Sequence, residues 1–430
     1  MSSKSAPLLR VCCTLAGVLL LGRSGASEVR GMFGPERSLE VLSVPGSMLP
    51  QLRGCDVRGV VGWACHDGCQ QVSVQVDERA PDGRWVLDVG AQYAEDEQPG
   101  RVDDTDVILV AAKDLGRSTA HPPNEARYEL HVSDPLSLGS AVAYLGCATT
   151  GSRPGTEPRR RVAADPQQDR IAMERLTVGF QGAIPTWLSI DGGPNVLDRV
   201  KVRARAKFLL GLVTVRRDET HLRGEVVGWR LGPLRVIRSQ RQWVALGWGL
   251  RTPVFESAAF FYPEHMEIPV ALRLRFPATY FFSDIRIQAY VDFRDLRGWQ
   301  VLVPPNPNAA VVNGHMTAPE VALNGADGNW FVLRGPQLSL LQFFDVSPSL
   351  QSVKRRFLYR DDANFRAPPE SFPGELPAVG YELTDWRQVG SGVHALHAMS
   401  FVLPLDVDPE RFLLAQRHPL RVEVRPLFEH

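Results

Sequence analysis

The densest chemistry in this 430-residue sequence is cationic. Lys201, Arg203, Arg205 and Lys207 occupy alternate positions, and Arg216, Arg217, Arg223, Arg230, Arg235, Arg238 and Arg241 follow soon after. Alternation puts the first four on one side of a strand, with Val200, Val202, Ala204, Ala206 and Phe208 on the other. Clustered cations raise the local potential for an anion, and the guanidinium fork matches carboxylate and phosphate geometry. An acidic polysaccharide, a lipid phosphate or a polyanionic partner fits such a face. A solvated sheet face whose cations pair with Asp198, Asp218, Glu219 and Glu225 fits it as well. Trp229, Trp243, Trp248, Phe255, Phe260, Phe261 and Tyr262 share the region. Aromatic rings either stack on sugars or fill a core; core packing accounts for most of these, with Trp229 and Trp243 set apart by their neighbours Arg230 and Gln242. The expected ligand-binding set is Lys201, Arg203, Arg205, Lys207, Trp229, Arg235, Arg238 and Trp243.

Other reactive residue types form weaker patterns. Asp103, Asp104 and Asp106 could ligate calcium, as could Asp77, Glu78 and Asp82-Gly83. Neither run has a complete calcium-loop spacing, and turns before strands also favour aspartate. His394, His397 and Met399 are soft-metal ligand types, but strand-like surroundings would turn the two histidines to opposite faces. Glu264, His265 and Glu267 could supply an acid–base pair from a Pro-flanked loop. There is no Gly-x-Ser-x-Gly elbow, phosphate loop or His-Glu-x-x-His, so the sequence assigns no reaction, metal or cofactor.

The N-terminus sets the expected compartment. Lys4 and Arg10 precede an apolar run from Val11 to Gly22, and Ser24-Gly25-Ala26 supplies small residues for cleavage after Ala26. This layout predicts a cleaved signal peptide over 1–26 and a periplasmic or extracellular protein. The run is well short of the roughly 20 residues needed to cross a bilayer, and no transmembrane segment is expected in the mature chain. Loss of Lys4, Arg10 and Arg23 would leave 45 basic against 48 acidic residues, a net charge of −3, which argues against a general nucleic-acid binder. Cys55, Cys65, Cys69 and Cys147 survive cleavage. In an exported chain they read as two disulfides, with Cys65–Cys69 and Cys55–Cys147 favoured among three pairings. The run Cys65-His66-Asp67-Gly68-Cys69 keeps a metal site open as an alternative.

The elements that must carry these groups read as strands. Gln71 to Asp77 alternates, Val107 to Ala111 is a short apolar run, and Tyr128, Leu130 and Val132 alternate with polar residues. Val226–Arg230 and Leu234–Arg238 flank Gly232-Pro233 as a tight hairpin, and Gln242–Leu250 and Ile285–Phe293 follow. One short helix is expected over Glu410–Gln416, capped by Asp408 with Pro409 at its first position. With 33 prolines and 37 glycines as punctuation, the predicted class is all-β: antiparallel β-sandwich domains with few short helices. The Pro/Gly/Ser/Thr-rich, charged stretch Thr149–Gln168 reads as a linker with an exposed basic run, Arg159-Arg160-Arg161, and Pro304-Pro305-Asn306-Pro307 reads as a second break. Domains are therefore placed at 36–150, 165–303 and 310–430, with a linker over 151–164 and the last two able to form one unit.

Two pieces resemble known families. Gln75-Val76-Asp77-Glu78-Arg79, Asp82-Gly83-Arg84-Trp85, and Asp103-Asp104-Thr105-Asp106 leading into Val107–Val110, then Asp114-Leu115-Gly116, are similar to a β module of exported bacterial proteins. Some of those are associated with polysaccharide utilisation and many are uncharacterised. Gly232-Pro233-Leu234-Arg235-Val236-Ile237-Arg238 resembles a strand entry of galactose-mutarotase-like β-supersandwiches. The pieces cover less than a third of the chain, and the catalytic His and Glu of mutarotases match no motif here. The resemblance implies a fold and a loose carbohydrate association, not an activity. The expected function is binding of a glycan or anionic surface polymer by the central segment. The alternatives are an envelope scaffold docked to another protein, and a carbohydrate-active enzyme of mutarotase-like or lyase-like type.

Overall fold

The alternating segments do become sheet. A computed structural model describes residues 32–91, 94–148, 160–208, 211–247, 249–252, 254–277, 279–304, 306–366 and 372–427. The expected signal peptide lies outside them. Among the described residues every strand pairing is antiparallel, and the strands form five sheets. The longest helix is Pro409–Arg417, with Asp408 accepting from the Arg411 N–H at 2.8 Å. No described helix is long and apolar enough to cross a membrane.

Strands Val41–Pro45, Val107–Ala111 and Val74–Asp77 make a three-stranded sheet. It faces a five-stranded sheet of Arg421–Pro426, Ala126–Ser133, Ser140–Cys147, Val60–Cys65 and Cys69–Val72. Leu42, Val44, Ile108 and Val110 pack there with Leu130, Val132, Ala143 and Leu145, as period-two alternation requires when one face of each sheet is covered. Two disulfides, Cys55–Cys147 and Cys65–Cys69, bind this sandwich. The first spans 92 residues of sequence and is worth about 4–5 kcal/mol in the chain-entropy account.

The rest of the chain is built on an eleven-stranded sheet. Its centre is formed by Leu222–Leu231, Val236–Gly247, Phe255–Phe261, His265–Leu274 and Gly392–Leu403. The Gly232-Pro233 hairpin therefore forms as the sequence predicts, with Arg230 opposite Ile237. One part of the large sheet packs on a four-stranded sheet through Val178, Phe180, Trp229, Phe261 and Val402. Another packs on a second five-stranded sheet through Leu272, Leu396, Ile287 and Leu383.

Two expected boundaries fall inside sheet. The second expected break does not part the chain: Gln300–Val303 and Asn306–Val311, on either side of it, pair with each other. Pro307 suits Asn306–Val311 because that strand is the sheet's last, where an N–H can be spared. Of the predicted linker, residues 149–159 lie outside the described ones. Ala163–Asp165 is a strand, and Arg161 is half-buried in an ion pair with Asp114 instead of extending an exposed run. Gly31–His430 forms one compact unit, and its C-terminal strand Arg421–Pro426 returns to pair with Ala126–Ser133 in the first sandwich.

Candidate functional site: an open cationic sheet face

The second five-stranded sheet runs Val213–Arg217, Leu197–Phe208, Phe282–Phe293, Glu375–Thr384, Lys354–Asp362. Its register sets Arg205 directly opposite Arg216 on one neighbour and Arg286 on the other. Residues opposed across a ladder share a face, so three arginines form one rung across three strands. On the same face Lys354 opposes Thr384 and Arg356 opposes Glu382. Among the described residues Arg205, Arg216 and Arg356 have no carboxylate partner. Like charges directly opposed destabilise a sheet, so the rung is an electrostatic cost that a bound anion would relieve.

The nearby carboxylates neutralise only part of this charge. Asp284 lies 3.3 Å from Arg286 and 3.5 Å from Lys207, and Asp385 lies 2.8 Å from Arg387 and 3.8 Å from Lys354. Arg286, and behind it Lys207, holds the Asp284 carboxyl below its ordinary range; Arg387 does the same for Asp385. A cavity of about 310 Å³ opens here, lined by Thr279, Asp284, Arg286, Lys354, Arg356 and Arg387 among others. Its Thr279 side leads into an aromatic rim. Phe276, Tyr280 and Phe281 are half or more exposed, and their rings contact one another at 4.8–5.8 Å.

The inner end of the same strand is sealed. Lys201 is fully buried, 2.8 Å from Asp292 and 2.7 Å from Glu375, with its ammonium over the Tyr290 ring. Burial pushes the Asp292 carboxyl up, against the pull of Lys201. Arg203 is half-buried and leans toward Glu219 at 3.9 Å. Lys201 is thus a structural cation, since a buried ammonium requires close carboxylates. Of the four alternating cations, Arg205 and Lys207 stand at the open end.

Of the remaining expected ligand residues, Trp229, Arg238 and Trp243 lie on the large sheet and Arg235 in the hairpin turn between two of its strands; three of the four are buried. Arg238 is fully buried and holds Asp169 through a two-pronged contact at 2.7 and 2.6 Å, between the rings of Phe180 and Trp229. Trp229, expected to be exposed, is 3% accessible and packs in the core beneath the four-stranded sheet. Arg235 is 5% accessible. Its Nε donates to Asp77 at 2.7 Å, and its guanidinium lies over Trp85. Trp243 is half-buried beside Arg251. These four make no common surface with Lys201–Lys207, because they are carried by strands of a different sheet and the turn between two of them.

Arg235 explains the two sequence pieces that resembled known modules: they are halves of one joint. The Gln75 side-chain oxygen accepts the Leu234 and Arg235 N–H groups at 2.8 Å each, while its amide nitrogen donates to the Arg235 carbonyl and to Asp77. Arg230 reaches Asp77, Glu78 and Asp88. Gly232 is required at this joint, because a Cβ there would stand 2.0–2.2 Å from the Gln75 amide. The Asp77–Glu78 pair is therefore spent on arginines.

The histidine sets also resolve. His394 and His397 lie on one strand and diverge: His394 is buried against Ser349 and the Gly390 carbonyl, whereas His397 lies 3.4 Å from Glu267. Glu267 also lies 3.4 Å from His265, so it bridges two imidazoles, with Tyr262 stacked on His265 at 4.1 Å. Burial alone would raise the Glu267 carboxyl, but the two histidines overcome it and hold it at about 2. Glu264 is separate and pairs with Lys113 at 3.1 Å.

Sequence reasoning missed Arg286, Lys354, Arg356 and Tyr280. Arg286 sat in plain view on the alternating run Ile285–Phe293, where only the apolar face had been followed. The rung it completes joins residues about 80 positions apart in sequence, which periodicity cannot pair.

No family model and no curated protein matches the sequence. Among solved structures the chain is similar to an alpha-mannosidase from Enterococcus faecalis at 10% identity and TM-score 0.46, over 93% of this chain and 47% of that one. It is also similar to a glycosyl hydrolase family 38 protein of the same organism at 10% identity and TM-score 0.41, over 90% and 49%. The chain spans about half the length of either.

Proposed function

We propose that this is an exported protein that binds an acidic glycan or a similar anionic surface polymer along the open face of the Leu197–Phe208 sheet. The observation that carries this is the Arg216–Arg205–Arg286 rung. A linear polyanion laid across it would relieve repulsion that the fold leaves in place. The cavity beyond it has room for part of a sugar residue. The exposed Tyr280 and Phe281 offer ring faces on which the apolar side of a sugar can stack.

Affinity electrophoresis through gels cast with acidic or neutral polysaccharides tests it directly. Retardation is expected in acidic gels, falling steeply as salt rises because the charges are solvent-exposed. The double variant Arg205→Glu/Arg356→Glu should migrate freely. Equal retardation of wild type and variant, or none for wild type at low salt, overturns the reading. A stoichiometric envelope protein that co-purifies regardless of this double variant would favour a docking scaffold instead.

A second reading, a carbohydrate-active enzyme, is favoured by Glu267 between His265 and His397. An ionised carboxylate bridging two imidazoles is a plausible proton relay. Anomer exchange or release of unsaturated sugar, abolished by Glu267→Gln, would establish it.

A further inference from the structure

Asp96, Asp103 and Asp106 bring one carboxylate oxygen each within 4.8 Å of one another in the N-terminal sandwich. Asp103 and Asp106 flank a tight turn. Thr105 N–H donates to Asp103 Oδ1, and the Asp103 N–H donates to Asp106 Oδ2. Asp106 is fully buried and takes a second N–H, from Arg79, on its other oxygen. Asp103 is 7% accessible, and its Oδ2 is buried without a hydrogen-bond donor among the described residues. Both oxygens of Asp96, which arrives from a separate segment, are also buried, with only the Gln98 N–H and the Glu78 carboxyl beside them among the described residues.

No lysine or arginine among the described residues pairs with any of the three. Cations of neighbouring residues are committed elsewhere: Arg53 to the exposed Asp104 at 2.6 Å, Arg230 to Glu78, and Arg79 to the Gly83 carbonyl and the Trp85 ring. Buried carboxylates without donors are costly unless they are paired or coordinate a metal.

From this geometry we propose that Asp96, Asp103 and Asp106 form a binding site for a hard divalent cation, Ca²⁺ in particular. The donor set is all oxygen, which selects Ca²⁺ or Mg²⁺ over zinc and copper. Oxygens within 4.8 Å of one another can share one Ca²⁺ at bonds of about 2.4 Å, and Mg²⁺, which sheds its waters reluctantly, is less suited to a set of protein carboxylates. The half-exposed Asp96 leaves a route for the ion and for the waters that would complete its shell. Its consequence is mechanical. The ion would tie the segment carrying Asp96 to the turn before Val107–Ala111. That segment follows Val89–Gly90, the edge strand through which the sandwich joins the large sheet.

The test uses the full chain, stripped with a chelator and titrated calorimetrically with CaCl₂ and MgCl₂, with thermal melts in parallel. One saturable Ca²⁺ site is expected, with a dissociation constant of about 10⁻³ M or tighter and a melting temperature that rises with Ca²⁺. Asp103→Asn should weaken Ca²⁺ at least tenfold. Asp96→Asn, at the half-exposed rim, should do so even if Asp103→Asn fails to fold. Asp104→Asn, outside the cluster, should respond as wild type does. Absence of heat and of any melting shift in wild type at about 10 mM CaCl₂, or an undiminished response in Asp96→Asn, overturns the proposal.

Discussion

Arg235 and Arg205 are the same residue type, 30 positions apart, the first in the hairpin turn just before Val236–Gly247 and the second on Leu197–Phe208, and the molecule uses them in opposite ways. Arg235 is covered by the N-terminal sandwich and matched to Asp77, Gln75 and Tyr262. Arg205 sits on an uncovered face between two more arginines. The difference lies in what packs over each guanidinium. A guanidinium that is sealed in must have its carboxylate supplied by the fold, because the cost of an unpaired buried charge is several kcal/mol. One left in water can stay unmatched, and that makes it available to a ligand.

The sharpest way to break this contrast is at Arg235. Arg235→Ala would leave Asp77 buried with the Gln75 amide at 2.7 Å and, for charge, only the more distant Arg230 at 3.4 Å among the described residues. A loss of about 3–5 kcal/mol is expected in urea denaturation. A loss below about 1 kcal/mol would show that the joint between sandwich and sheet does not depend on this pair.

The next effect depends on pH. The Glu267 carboxyl, three-quarters buried, is lowered from 4.5 to about 2 by His265 and His397. A depressed carboxylate stabilises the fold above its unfolded value, and that contribution is lost as pH falls through the folded one. Wild type should therefore lose roughly 2–3 kcal/mol between about pH 4.5 and pH 2 through this group. Glu267→Gln should lack that part of the acid limb, so the two stability curves converge near pH 2. Parallel curves across the window would show that the histidines do not hold this carboxylate.

Gly232→Ala comes next. The added methyl would run into a Gln75 amide that makes four hydrogen bonds and cannot swing aside. A cost of about 1–3 kcal/mol is expected in thermal melts. A neutral result would mean the sandwich can slide on the sheet without penalty.

What could be read beforehand follows from how local the determining chemistry is. Asp408 and Pro409 announce their helix within two residues, and the Gly232-Pro233 hairpin, the two disulfides and the all-β class rest on similarly short-range or compositional signals. The alternation at 201–207 was legible as a strand with its cations on one side. What covers that side was not. Lys201 meets Glu375 across 174 positions, and Asp77 meets Arg235 across 158. Trp229 was expected at the surface because a charged neighbour adjoined it, but on a strand the next residue faces the other way. The acidic triad was half-seen for the same reason: Asp103 and Asp106 share a turn, whereas Asp96 replaces the expected Asp104 only once the chain has folded back.

The smallest expected effect is also the one that most directly separates the two regions. Arg205→Ala combined with Arg356→Ala removes two cations without carboxylate partners among the described residues. Neither substitution strands a buried carboxylate, since Glu382 opposite Arg356 keeps its contact with Gln288 at 3.1 Å. Stability should change by no more than about 0.5 kcal/mol, and the sign should be favourable at low salt because the rung loses its central charge. At about 1 M salt, where screening acts over about 3 Å, even that gain should vanish. Thermal melts at both ionic strengths would register it. A destabilisation above about 1.5 kcal/mol would place Arg205 with Arg235 as part of the scaffold, and the open face would no longer be a surface held in readiness for an anion.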